Sequence, residues 1–219
     1  PPPLFQSEDV IRDTRTCLVG SEMCIRDRLK LVEPYQFLDR LTMPKLLINA
    51  TCDEFFVTDS WKFYWDDLQG DSYLQYVPNV GHGLHGSYLP ENLISFYYSA
   101  ITDARIPGFD WSIQDDTIFA EVDPASEYRI GLWEAVNTEG RDFKSYVIGK
   151  EAWKMELIEK NESGLYTIPI ASPDQGYKGA LVEVIFNPDS EFPLTLTTGT
   201  LVTPDTYPYD PFVPEFPAK

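Results

Sequence analysis

Hydrophobic positions along this chain change period near residue 106, and the two sides of that change predict different architectures. Lys45–Thr51, KLLINAT, is a continuous apolar run closed by polar residues. It predicts a strand buried on both faces, as in a parallel sheet. The loop CDEFFVTDS follows, and Ser60–Leu68 then predicts a helix, with Thr58 or Asp59 as its N-cap and Gly70 just past its end. Tyr73–Pro78, YLQYVP, predicts a second strand, NVGHGLHGS a glycine-rich loop, and Pro90–Ala104 a second helix with proline in its first turn. Strand, helix, strand, loop, helix is the order of an α/β sheet. Beyond Ile106-Pro107-Gly108 the runs become short and β-rich: TIFAEV, YRIGLWEAV, FKSYVIG, LYTIPI, ALVEVIF and LTLTTGTLV. Turn signals separate them, among them Asp123-Pro124, Asn137–Gly140, Ser163-Gly164 and Asn187-Pro188. That spacing predicts an antiparallel β-sandwich over 107–205. A proline-rich tail, 206–219, is expected to be extended. No internal repeat is visible.

Residues 17–28 fit neither period. Gly20-Ser21 interrupts any helix there, and Cys17 and Cys24 have no histidine near them and no C-x-x-C spacing, which argues against zinc or a redox pair. Leu18–Arg28, LVGSEMCIRDR, instead resembles the conceptual translation of a transposase-type sequencing adapter. We therefore set residues 17–28 aside from fold reasoning, and residues 1–16 become an upstream segment of uncertain relation to residue 29 onward. Cys52 is then the remaining cysteine, so cysteine usage does not indicate a redox compartment.

Composition narrows the function classes. The chain has 219 residues, 43% of them hydrophobic, enough for a packed core. Lys plus Arg total 17 against 35 acids, a net charge of -18. Such a balance argues against nucleic acid and anionic membrane surfaces as partners. No apolar run is long enough to predict a transmembrane helix. The first residues, PPPLFQSEDV, lack the basic start and apolar core of a signal peptide. Either the chain is not exported or its true start lies upstream.

Candidate chemistry lies in the loops after the predicted parallel strands, where open α/β sheets bind ligands. Asp53 follows the first strand and His82 the second. An acid followed by a histidine matches the order of α/β-hydrolases, in which the acid orients the imidazole and the imidazole takes the nucleophile's proton. Two other readings stand beside this one. Glu54, Asp59, Asp66 and Asp67 are also what a solvated acidic face would look like. His82, His85 and Asp53 are also possible metal ligands, although H-x-x-H in a loop is a weak pattern. No G-x-S-x-G occurs, Ser7 sits in SED without flanking glycines, and Ser60, Ser72 and Ser87 come after the acid. The nucleophile and oxyanion hole of such a hydrolase are therefore missing here.

From Val32 to Leu84 the chain reads VEPYQFLDRLTMPKLLINATCDEFFVTDSWKFYWDDLQGDSYLQYVPNVGHGL. It resembles the PhoPQ-activated pathogenicity-related protein family, with its PK-x-hhN-(A/G)-T-x-D-x-FF, F-Y-(F/W)-D-x-L and YVPN-x-x-H motifs. GLWEAVNTEGRDF, with Trp133, Arg141 and Asp142, and TLTTGTLVTPDTYP extend the resemblance to about 29–208. Two positions depart from the pattern: Glu33 replaces an Asp, and Gly81 stands where an Asp is more frequent. The resemblance implies that 29–106 is the C-terminal part of an α/β-hydrolase domain, followed by the all-β sandwich. It assigns Asp53 as the acid and His82 as the histidine, with the serine upstream and no counterpart for His85. It further implies a small-molecule or peptide substrate, no cofactor, and secretion or a periplasmic location. A second class is also implied, a secreted binding or signalling protein on the same fold, since a secreted autocrine proliferation repressor resembles this family.

Two side features remain. Trp111, Trp133, Trp153 and Tyr177 would stack on sugars if exposed, but large aromatics at sandwich positions ordinarily fill the core. Asn49-Ala50-Thr51 and Asn161-Glu162-Ser163 are glycosylation sequons, and the turn-located Asn161 is the accessible one.

Overall fold

The computed structural model describes residues 31–102, 106–207 and 209. The upstream segment, the adapter-like stretch and most of the proline-rich tail lie outside the described residues. Among the described residues the chain forms two compact units, a smaller one of 31–43 with 67–70, and a larger one of 44–66 with 71–102, 106–207 and 209. In the smaller unit a 3-10 helix runs over Pro34–Arg40, started by Pro34 and by Glu33, whose carboxylate accepts from the Tyr35 N–H. There the Tyr35 hydroxyl donates to the Asp67 carboxylate. Gly70 takes a positive φ of 72° against the Thr42 carbonyl, where a side chain has no room.

The larger unit is sheet-rich. Strands β1 (Lys45–Ala50) and β2 (Ser72–Val77) pair in parallel, with Ala50 opposite Val77. Between them the expected α-helix is replaced by two short 3-10 helices, Ser60–Phe63 and Trp65–Asp67. Helical propensity loses to side-chain anchoring. Trp61 donates its indole N–H to the Thr200 carbonyl at 2.9 Å, Tyr64 receives the Asn49 amide at 2.7 Å, and Trp65 stacks on Trp111 at 5.2 Å. Meeting three separate partners leaves Tyr64 at φ -143°, outside helical space. Trp61 also meets Trp111 edge-on at 4.9 Å, which completes a tryptophan trio. Helix α1, Leu89–Ile101, carries the expected proline in its first turn. Its buried residues are polar: Asn92 brackets the Thr195 backbone, accepting from its N–H at 2.6 Å and donating to its carbonyl at 3.0 Å, and Ser95 donates to the Phe192 carbonyl. Leu93, Ile94, Tyr97 and Tyr98 on α1 are exposed.

The remaining strands are antiparallel. β3 (Phe109–Gln114), β4 (Thr117–Val122) and β7 (Leu165–Pro169) form one sheet in the order β3-β4-β7. β5 (Tyr128–Asn137), β6 (Lys154–Ile158), β8 (Tyr177–Phe186), β9 (Leu194–Thr197) and β10 (Leu201–Thr203) form the other. Its order is β10-β8-β5-β6, with β9 also on β8. Alternation buries Ile118, Ala120 and Val122 of the first sheet against Ala180, Val182, Val184 and Phe186 of the second. On β8, Leu181 joins a different buried cluster, with Cys52, Leu74, Tyr76, Ala135, Phe143, Trp153 and Val202.

Other elements also differ from what their sequence predicts. β1 was expected to be buried on both faces, yet Ala50 alone of its residues is buried, because among the described residues β1 has β2 as its single strand neighbour. FKSYVIG is no strand: Asp142 accepts from the Lys144 N–H and starts the short helix α2, Ser145–Ile148, which Gly149 ends at φ 99°. LTLTTGTLV is two strands, broken where Gly199 lies so close to the Trp61 ring that a Cβ would stand 2.3 Å from it. β3 and β6 were not anticipated, and β6 shows why, since four of its five residues are exposed and carry no alternating signal. Trp153 is 1% exposed, and Trp111, Trp133 and Tyr177 pack as half-buried members of the same cluster, so these aromatics are core rather than a sugar platform.

Candidate functional site

The site is built where the two parallel strands end. β1 stops at Ala50, and Thr51 continues the parallel register for one more bond, its N–H donating to the Val77 carbonyl at 3.1 Å. Cys52 then donates to the Val80 carbonyl at 3.1 Å, and the Thr51 hydroxyl receives the Asn79 N–H at 3.0 Å. These cross-links fix the two loops to one another before either catalytic candidate is reached. Asn79 adopts φ 62°, a conformation asparagine tolerates better than most residues. Its side-chain amide pairs with the Trp153 backbone in both directions, each bond 2.9 Å long. The asparagine of the YVPN-x-x-H pattern is therefore a turn residue that ties the His82 loop to the second sheet.

Asp53 leaves the end of β1 and folds into a turn of its own. Its Oδ1 accepts from the Phe55 N–H at 2.8 Å and the Phe56 N–H at 3.1 Å. Its Oδ2 lies 2.9 Å from His82 Nδ1. Burial of the carboxyl pushes its pKa up, but the Phe55 N–H, the His82 ring and the Phe56 N–H outweigh that, and the net displacement is downward. An ionised Asp53 can only accept, so Nδ1 is the donor, and in the neutral ring Nε2 is the atom left with the free lone pair. The Asp53 side chain is 10% exposed and that of His82 52%, so the acid is held inside while the ring reaches outward. Phe55 meets the ring edge-on at 4.9 Å. Glu54 accepts the His82 backbone N–H at 2.8 Å and occupies the space beside Gly81, where a Cβ would fall 2.4 Å from Oε1. The glycine that departs from the family pattern is the residue that admits the Glu54 carboxylate.

A pocket of about 240 Å³ faces this pair, lined by Ile48, Asn49, Ala50, Asp53, Phe56, Val57, Ser60, His82 and Leu84. Ser60 is therefore at the pocket, although it follows the acid in the chain. His85 is not in that lining, and its ring lies against Gly83. Among the described residues no group of three or more His, Cys, Asp or Glu side chains is placed to hold a metal ion. Cys52 is fully buried, and burial raises its thiol pKa, which leaves it unsuited to nucleophilic attack.

One element of the site carried no sequence signal. Asp59, a candidate both for a helix N-cap and for a solvated acidic face, makes no capping bond with its side chain; it is 2% exposed and receives a two-pronged Arg141 guanidinium at 3.1 and 2.6 Å, with Lys62 at 2.6 Å. Burial acts to raise its pKa, but Arg141 and Lys62 outweigh it and hold the carboxyl below the usual range. Arg141 comes from the loop after β5, so the pair spans a long stretch of sequence with no local pattern to reveal it. Asp205 stands beside both cations at 3.5 and 3.8 Å. The segment from Asp53 to Asp59 is thus fastened at both ends, by His82 at one and Arg141 at the other.

Comparison with known proteins gives the family of the chain and a relative. The sequence model of the PhoPQ-activated pathogenicity-related protein family matches residues 19–144, which includes both loops of the pair and Arg141 and begins within the adapter-like stretch. Autocrine proliferation repressor protein A of Dictyostelium discoideum is 29% identical over 205 residues, covering 82% of this chain and 42% of that protein. The chain thus spans less than half the length of that relative. No solved structure matches.

Proposed function

The chain belongs to the PhoPQ-activated pathogenicity-related protein family, and from that premise we propose that it is the C-terminal portion of a serine hydrolase acting on ester or amide bonds. Residues 29–106 are then part of an α/β-hydrolase domain and 107–205 its appended sandwich. Asp53 orients His82 and stabilises its protonated form, and Nε2 removes the proton of a serine supplied upstream in the longer polypeptide. The observation that carries this reading is the Asp53–His82 pair, 2.9 Å apart in loops at the carboxyl ends of adjacent parallel strands. Two further features support a larger domain: among the described residues β1 pairs on one side with β2 alone, and α1 turns apolar residues outward. Export to the periplasm or the exterior is part of the proposal. No helix among the described residues is long and apolar enough to cross a membrane.

A second reading draws on the relative named autocrine proliferation repressor protein A: in it, the chain is part of a secreted signalling or binding protein that works without catalysis. Fluorophosphonate labelling separates the two. The longer polypeptide should label at one serine in a G-x-S-x-G-like elbow, with labelling suppressed by His82→Ala and Asp53→Ala, whereas this chain alone should stay unlabelled. A longer polypeptide that lacks the elbow and does not label supports the signalling reading. Serine-specific labelling of this chain alone would contradict the placement of the nucleophile upstream.

A further inference from the structure

We propose that the large cleft beside Asp53 binds a cationic side chain, an amine or a guanidinium, and serves as a specificity subsite next to the Asp53–His82 centre. Its role in turnover rests on the hydrolase reading, but its binding chemistry does not. The cleft holds about 550 Å³, well within the range of ligand sites, and shares Asp53, Phe56 and Val57 with the pocket that faces His82.

Two independent properties of the lining converge on a cation. The first is aromatic. Phe55, Phe56, Phe63, Tyr207 and Tyr209 line the cleft and are 76%, 61%, 64%, 54% and 84% exposed. Each of these rings keeps more than half of its residue surface open, and ring faces attract cations. Lys62 and Arg141 already use one, standing 5.2 and 4.5 Å from the centre of the Tyr207 ring. The second is charge. The lining carboxylates are Asp53, Glu54, Asp59, Glu139 and Asp142, and the lining cations are Arg141 and Lys144. Arg141 is taken by Asp59, Lys144 by Asp142, and Asp53 holds His82. Glu54 and Glu139 have no ion-pair partner among the described residues, so the cleft keeps uncompensated negative charge beside its rings. An anionic ligand would meet repulsion there, and a neutral apolar one would strip water from the exposed Glu139 carboxylate without replacing it. A cation satisfies both features, and the net charge of -18 steers cations toward the protein.

The test is a nuclear magnetic resonance titration of the isotope-labelled chain with acetyl-arginine amide, against its neutral isostere acetyl-citrulline amide. Shifts should concentrate at the Phe55, Phe63 and Gly140 amides, and arginine should bind about tenfold more tightly than citrulline, with the advantage falling as salt is added. Glu139→Gln should shrink that advantage severalfold, while Glu156→Gln, an exposed position on β6 outside the cleft lining, should leave it intact. Equal affinity for the two probes, or shifts that map elsewhere, would overturn the subsite. Serine labelling of the longer polypeptide without arginine preference refutes the subsite and spares the hydrolase. Arginine preference without serine labelling does the reverse.

Discussion

Replacing Arg141 by Met is the sharpest probe of what holds the site together. The side chains of Arg141 and Asp59 are 7% and 2% exposed, and the guanidinium grips both carboxylate oxygens. Methionine fills much of the arginine stem's volume but leaves Asp59 buried with one cation, Lys62, on Oδ2. Breaking one side of a buried ion pair typically costs about 3–5 kcal/mol, and because Lys62 remains, the lower end, about 3 kcal/mol, is expected. For a protein of this size that corresponds to a fall of roughly 6–12 °C in Tm. The control is Arg141→Met combined with Asp59→Leu, which removes the stranded charge. Paired removal of buried charges is often neutral, so the double variant should recover most of the loss. Urea unfolding monitored by tryptophan fluorescence measures all three proteins. A single variant that loses under about 1 kcal/mol, or a double variant less stable than the single, would refute the idea that Arg141 offsets the cost of burying Asp59.

Further outcomes follow from the same geometry. The Asp53 and Asp59 pKa values both lie below the ordinary carboxylate value in the folded chain. Their contribution to stability should thus be complete above the unfolded value of about 3.9 and should disappear as pH falls through the lower folded values, which an acid titration of unfolding free energy would show. Protonated His82 should give a strongly downfield Nδ1–H resonance that Asp53→Ala removes, and survival of the signal would mean that the 2.9 Å contact is not formed in solution. Gly179→Ala should destabilise by about 1–3 kcal/mol, because the new Cβ would stand 2.6 Å from the Trp153 ring. Sedimentation should show self-association rising with concentration, since β1 has an open edge among the described residues and Leu93, Ile94, Tyr97 and Tyr98 lie exposed on α1. A monodisperse monomer at all concentrations would count against this.

Sequence patterns carried some of these features and not others, for identifiable reasons. Lys45–Ala50 and Ser72–Val77 were legible as strands because apolar runs bounded by turn residues permit little else, and their loops marked Asp53 and His82. The long strands β5 and β8 were legible as β-rich apolar runs bounded by turn signals, β8 being buried over Gly179–Val182 on both faces. Ser60–Leu68 misled because a helical period also fits side chains drawn to three different partners. Asp59 misled because a charge beside other charges looks solvated, and only the distant Arg141 makes it buried. Glu54 gave no sign of its bond to the His82 backbone, which depends on the missing side chain at Gly81.

The tryptophan trio has an optical consequence. Trp61, Trp65 and Trp111 hold their indoles 4.9 and 5.2 Å apart at interplanar angles of 79° and 30°. At such separations the indole transitions couple, and oblique pairs rotate circularly polarised light as a couplet rather than as independent chromophores. Trp111 belongs to β3, whereas Trp61 and Trp65 come from the crossover between β1 and β2. The couplet therefore reports on contact between the parallel strand pair and the antiparallel sheets, without a label. A change that leaves every strand intact but loosens that contact would silence it while the backbone amide spectrum stays the same.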